Sequence, residues 1–168
     1  MDTLIRMPKE KEYEEIVAVI NSQIEREKKF FTEDEYEENF PKITIEDLKR
    51  ERGKRYHLVV EENGKIVAHA SYYIKMNNIL WLSQIVVLPK YQNKGIARKL
   101  LIHIEKEARS KKIKALALET QKVFDWAVNF YKKQNYIVLS SEDFKKEPFA
   151  GTLDNNPVES TYIFGKIL

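Results

Sequence analysis

The sequence predicts a mixed α/β fold in which helices flank a sheet. Three observations lead there. Ile79–Leu88 is an apolar, β-branched run with the character of a buried central strand. A glycine-bearing turn follows it, and then Ala97, Leu100, Leu101, Ile104 and Ala108 repeat at helical spacing. Strand-like segments precede this unit as a meander and afterwards alternate with helices.

Taken in order, Thr3 to Met7 reads as a short first strand. Pro8 suits a first helical turn. Tyr13, Ile16, Val17, Ile20 and Ile24 keep helical spacing, which predicts a helix from about residue 9 into the high twenties. Thr32-Glu33-Asp34-Glu35 is a capping box that opens a second helix, and Pro41 ends it. Thr44 caps a third, through about Arg52, closed by Gly53. Tyr56–Glu61 and Lys65–Ile74 are strands joined by Glu62-Asn63-Gly64, a hairpin signal because Asn-Gly accepts positive φ. Asn77-Asn78 turns the chain into the central strand, which Pro89 stops. Beyond the motif helix, Ala115–Glu119 is a strand. Val123, Trp126, Ala127, Phe130 and Tyr131 mark another helix, and Tyr136–Leu139 a further strand. Ser140–Ser160, with Pro148, Gly151, Asn155, Asn156 and Pro157, reads as a long loop, and Thr161–Ile167 as the last strand.

A chain of 168 residues suits one compact domain, residues 1–168, with a substantial core. The net charge of +3 is too small to argue for a nucleic-acid partner. Without cysteine there is no disulfide framework, thiol nucleophile or thiolate metal site, which suits a reducing cytosol. His57, His69 and His103 are scattered without metal-ligand spacing, so no metal is expected. No signal segment or membrane-length apolar run stands out, so the expectation is a cytoplasmic protein with no membrane partner.

The stretch Gln92-Asn93-Lys94-Gly95-Ile96-Ala97-Arg98 carries the chemistry. The free N–H groups of a first helical turn and the helix dipole favour an anion. Gly95 lacks a Cβ, which lets an oxygen-rich ligand approach the main chain. Lys94, Arg98 and Lys99 add positive charge. The Walker and three-glycine dinucleotide patterns are absent, so a diphosphate ligand of another kind fits better.

With Val87-Leu88-Pro89 before it, this stretch resembles the GCN5-related N-acetyltransferases, whose pattern is x-V-x-P, then Arg/Gln-x-x-Gly-x-Gly/Ala, then an amphipathic helix. The resemblance implies a mostly antiparallel sheet of about seven strands, splayed at an acetyl-CoA site. It implies that the turn from Gln92 to Arg98 holds the pyrophosphate and pantetheine arm. It also implies that the main chain of Ile85, Val86 and Val87 pairs with that arm. An N–H there, that of Val86 or Val87, would face the thioester oxygen. The cofactor would be acetyl-CoA, as co-substrate, and the acceptor a small-molecule or protein amine. A homodimer is a tendency of the family.

Transfer to an amine also needs a base, because a lysine-type amine is mostly charged at neutral pH. Glu119, at the end of its strand, resembles the general-base glutamate of ribosomal-protein N-terminal acetyltransferases; the plain alternative is a strand-end carboxylate paired with a lysine. Gln84 could orient a water. The segment Ala127 to Tyr136 resembles the family's A-x-x-x-Y-x-x-x-G-F/Y, which makes Tyr131 the acid for the leaving thiolate; the plain alternative is a core aromatic. Phe124 stands where the family often has a cofactor-contacting asparagine, and Asn135 where it usually has glycine. Asparagine tolerates the left-handed conformation. Glu33, Asp34, Glu35, Glu37 and Glu38 read either as an acidic wall for a cationic acceptor or as a solvated helix face. Two rival functions are a non-catalytic acyl-CoA-binding module on the same fold and nucleic-acid binding through Lys106–Lys114.

Overall fold

The computed structural model describes residues 3–75, 77–153 and 158–168. Seven strands, β1 (Thr3–Arg6), β2 (Tyr56–Glu62), β3 (Lys65–Ile74), β4 (Ile79–Val87), β5 (Ala115–Gln121), β6 (Ile137–Val138) and β7 (Thr161–Ile167), form one sheet in the order β1-β2-β3-β4-β5-β7-β6. The helices are α1 (Tyr13–Asn21), α2 (Ile24–Glu27), α3 (Glu33–Asn39), α4 (Ile45–Glu51), α5 (Ile96–Ser110) and α6 (Asp125–Lys133). This is the mixed α/β sheet flanked by helices that the sequence predicts. The chain divides into two compact units, Met1–Ser71 with Gln84–Leu100, and Tyr72–Ser83 with Leu101–Leu168.

In the first unit β1 pairs antiparallel with β2, from Thr3↔Glu62 to Arg6↔Val59. Arg6 clamps this edge by donating to Glu12 (2.8 Å) and Glu61 (2.6 Å), which holds the Glu12 carboxyl down to about 2. Asn63 (φ 51°) and Gly64 (φ 75°) turn β2 into β3, with positive φ at both positions as the Asn-Gly signal requires. Ile16, Val19 and Ile20 of α1 pack with Leu48, Val59, Ile66 and Val86. The predicted helix from residue 9 is interrupted: a 3-10 turn at Glu10–Glu12, then α1, then α2, then a second 3-10 turn at Lys28–Phe30. The reason is visible at Ser22, whose hydroxyl donates to the Val19 carbonyl (2.7 Å) and draws off a helical acceptor. The capping boxes of Thr32 with Glu35 and Thr44 with Asp47 open α3 and α4 as read.

In the second unit β4 runs parallel to β5, from Ile79↔Ala115 to Leu82↔Leu118, and the register ends there although both strands continue. β7 is antiparallel to both β5 and β6. Its core contains Ile79, Ala115, Ala117, Leu139, Phe149 and Ile163. Lys75 and Asn77 fasten the segment near Thr152: Lys75 Nζ donates to the Thr152 carbonyl (2.6 Å), and Asn77 Nδ2 to its hydroxyl (2.9 Å). The predicted loop Ser140–Ser160 contains a 3-10 turn at Asp143–Lys145; Asn155, Asn156 and Pro157 lie outside the described residues.

Gly165 sits in β7 because a Cβ there would come within 2.7 Å of Phe149 and 2.8 Å of Leu139. Gly165→Ala is expected to destabilise the protein by about 1–3 kcal/mol, since a close-packed core yields only with strain. Urea unfolding that gives an unchanged midpoint would count against this packing.

Candidate functional site

The predicted cofactor residues lie in the first unit. β4 ends at Val87, and Leu88 is extended before Pro89, with its N–H donating to the Val67 carbonyl (2.9 Å). A 3-10 turn covers Pro89–Tyr91, and Asn93 (φ 61°) and Gly95 (φ 79°) then reverse the backbone into α5. The Gly95 carbonyl accepts from Lys99 N–H (3.0 Å), so α5 begins here and the amides of Ile96, Ala97 and Arg98 lack intrahelical acceptors. Asn93, Lys94, Gly95 and Arg98 are exposed, Ala97 is half-buried, and Ile96 is buried as the anchor.

The charges at this point run against the helix. The first turn of α5 carries no acidic residue. Arg98 and Lys99 are cations at the positive end of the dipole, each unfavourable by about 0.3–1 kcal/mol. Among the described residues neither has an ion-pair partner, and Lys94 lies over the Tyr91 ring (5.1 Å). An anion seated on the free amides would reverse the sign of these terms. Gln92 behaves differently from its neighbours. Its side chain turns inward, donating to the Val87 carbonyl (2.9 Å) and accepting from Arg26 of α2 (3.3 Å). Arg26 had no signal in the sequence, because nothing local marks a contact across 66 residues.

Ile85 is half-buried, whereas Val86 and Val87 are buried. Beside the turn, a cavity of about 220 Å³ is lined by Arg26, Lys29, Pro89 and Gln92 among others. It shares Glu25 and Lys29 with a larger groove of about 840 Å³ between α2 and α3. α3 gives that groove Glu33, Tyr36 and Glu37, one helical face, and Phe40 follows at its C-cap. Tyr36 stacks on Phe40 (5.2 Å) and donates to the buried Glu27 (3.3 Å). Burial pushes the Glu27 carboxyl up to about 7 against the hydrogen bond from Tyr36.

Glu119 and Tyr131 both lie in the second unit. Glu119 pairs with Ile163 in the β5–β7 ladder, and its exposed carboxylate accepts from the Thr161 hydroxyl (2.7 Å). The lysine partner of the plain reading is absent among the described residues; a threonine takes its place. Tyr131 is buried, with its ring edge-on to Tyr136 (5.7 Å) and tilted against Phe164 (5.9 Å). Burial pushes its phenol up, so it holds its proton. Tyr136 donates to Glu105 (3.1 Å), which also accepts from Lys166 (2.9 Å), and this network fixes the ring against which Tyr131 packs. Phe124, at the start of α6, is buried and stacked on Trp126 (4.8 Å), with no side-chain cap. Asn135 is left-handed (φ 64°), the conformation its place in the motif predicts. His69 is fully buried in β3 and faces His57 (3.0 Å between ring nitrogens), and burial lowers it to about 3. Among the described residues no cluster of His, Asp and Glu has metal-binding arrangement, and no helix is long and apolar enough to cross a membrane.

A family model described as "Acetyltransferase (GNAT) family" matches residues 16–136. No curated protein matches the chain. Among solved structures, an N-acetyltransferase, PaiA, from Thermoplasma acidophilum in complex with coenzyme A is 19% identical, with full coverage of both chains and a TM-score of 0.80. A GNAT-family acetyltransferase from Streptococcus pneumoniae is 24% identical over 99% of this chain and 100% of its own, with a TM-score of 0.69. A ribosomal-protein-alanine N-acetyltransferase from Brucella melitensis is 20% identical over 98% and 99%, with a TM-score of 0.69. These likenesses carry the fold.

Glu27 yields a pH prediction. Its folded-state pKa lies above the ordinary carboxylate value near 4.3. Its contribution to stability is therefore full below that value and lost as pH rises through about 7. His69 acts in the opposite sense, since its lowered pKa removes stability as pH falls below about 6.5. The difference between wild type and Glu27→Gln isolates the carboxyl. Urea unfolding at pH 5 and pH 8 should show the variant gaining on wild type by on the order of 2–3 kcal/mol at the higher pH. An equal difference at both pH values would contradict it.

Proposed function

Because the chain belongs to the GNAT acetyltransferase family, we propose that it transfers the acetyl group of acetyl-CoA to a primary amine by direct attack in a ternary complex. The observation that carries this reading is the turn into α5: first-turn amides without intrahelical acceptors, Gly95 at positive φ, and Arg98 and Lys99 without an ion-pair partner among the described residues. The diphosphate would rest on Asn93 to Arg98, and the pantetheine arm along the main chain of Ile85, Val86 and Val87. The reading takes residues 1–168 as a single catalytic domain and places the protein in the cytoplasm.

The roles follow from what the reaction moves. The amine must be neutral at attack, so its proton passes through water to Glu119. That carboxylate is exposed, which lets it discharge the proton to solvent, and Thr161 fixes one of its oxygens. Nitrogen then attacks the thioester carbonyl, and an N–H of Val86 or Val87 stabilises the oxyanion. Collapse breaks the carbon–sulfur bond; Tyr131 protonates the thiolate, and the second proton lost from the attacking nitrogen passes through solvent to restore the phenol. A phenol held protonated by burial donates to a thiolate made more basic by the same desolvation. The groove between α2 and α3 is the candidate for part of the acceptor site.

Calorimetric titration with acetyl-CoA should give saturable one-site binding, and thiol release with a panel of primary amines should identify an acceptor. Tyr131→Phe is then expected to lower kcat about 100-fold and Glu119→Gln about 10- to 100-fold, with acetyl-CoA affinity retained. Binding that persists while no amine releases thiol would favour the non-catalytic acyl-CoA module, and Phe124 is the departure that favours it.

A further inference from the structure

The inward turn of Gln92 has a consequence for the cofactor site. An extended strand end leaves its last carbonyl in search of a donor. Val87 finds one in Gln92 Nε2 (2.9 Å), five residues later, across the bend. A glutamine amide rotates freely unless both ends are engaged. Its other end, Oε1, is held by Arg26 NH1 (3.3 Å). The guanidinium polarises the amide, which strengthens the bond to Val87. Burial lowers the pKa of Arg26, as expected of a cation packed in a wall, though it stays charged at neutral pH. The adjoining cavity of about 220 Å³ is lined by both partners and by Lys29, so a positive field meets the turn from the α2 side as well.

We propose that Arg26 is a positioning residue of the cofactor turn: it fixes the side chain of Gln92, which fixes the Val87 carbonyl and thereby the amides from Asn93 to Arg98 that receive the diphosphate. The proposal rests on the reading of this turn as the acetyl-CoA site. Arg26 acts through Gln92 rather than on the reacting atoms. The diphosphate end of the ligand should feel its loss most; the acetyl-pantetheine end, which meets the turn only at the Val87 main chain, should feel it little. Arg26→Lys keeps the charge but loses the planar fork, so it should not restore the geometry.

The test uses the full chain, with acetyl-CoA followed by calorimetry and acetyl-pantetheine at millimolar concentration by ligand-observed NMR. Arg26→Met is expected to weaken acetyl-CoA about 10-fold, the scale of one lost charge-assisted hydrogen bond. Arg26→Lys should stay weakened at least several-fold, and acetyl-pantetheine binding should stay within about twofold of wild type. Arg26→Met on a Gln92→Ala background should add little, since the two act as one unit. Several results would overturn the proposal: unchanged acetyl-CoA affinity, full rescue by lysine, additive losses with Gln92→Ala, or equal weakening of both ligands. Wild-type protein that is folded yet binds neither ligand would defeat the cofactor reading itself and this proposal with it. Binding by wild type with no effect in Arg26→Met defeats the proposal alone.

Discussion

The bend at the end of β4 is the constraint on which the candidate site depends. A strand cannot pass directly into a helix without leaving backbone groups unpaired. Here Leu88 N–H reaches back to Val67, Tyr91 N–H to the Leu88 carbonyl, and the Gln92 side chain supplies the donor that Val87 lacks. Two left-handed residues, Asn93 and Gly95, then turn the chain into α5. The left-handed asparagine is unfavourable by about 1 kcal/mol or more, and cations at a helix start add to that. An anion on the free amides would offset the second of these terms.

The two nominated side chains of the second unit sit in opposite environments. Glu119 is exposed within β5, which runs two residues beyond the predicted strand end, and its carboxylate is held by the Thr161 hydroxyl. Tyr131 is enclosed by Tyr136, Phe130 and Phe164, which disfavours the phenolate and keeps the proton in place. The plain reading of Tyr131 as a core aromatic also holds, because the same burial that packs the ring sets the acidity of its hydroxyl.

Much of this was legible in the sequence where local chemistry decides the backbone. β3 and β7 match their predicted limits, the Asn63-Gly64 turn has its two positive φ values, and both threonine capping boxes close as read. The turn from Gln92 to Ala97 was found because its residues are contiguous. What escaped were contacts between distant residues. Arg26 with Gln92, Tyr36 with the buried Glu27, His57 with His69, and Tyr136 with Glu105 and Lys166 depend on tertiary packing that no window of sequence contains. The late start of the strand predicted for Tyr136–Leu139 has the same origin, since Tyr136 N–H closes onto the Tyr131 carbonyl and its ring joins the aromatic cluster instead of the ladder.

The broken first helix shows how an apparent error of periodicity becomes informative. The spacing from Tyr13 to Ile24 was helical, and the buried positions Ile16, Val19 and Ile20 follow it. Ser22 and Gln23 break the hydrogen-bond pattern while keeping right-handed helical dihedrals, and set off α2, only four residues long. A helix so short has little stability of its own and is held by its tertiary contacts. Consecutive residues of a helix point about 100° apart. Arg26 therefore reaches Gln92 while Glu27 reaches Tyr36 in the groove. The segment that departs from its sequence periodicity is thus the one whose polar side chains make long-range contacts on two sides.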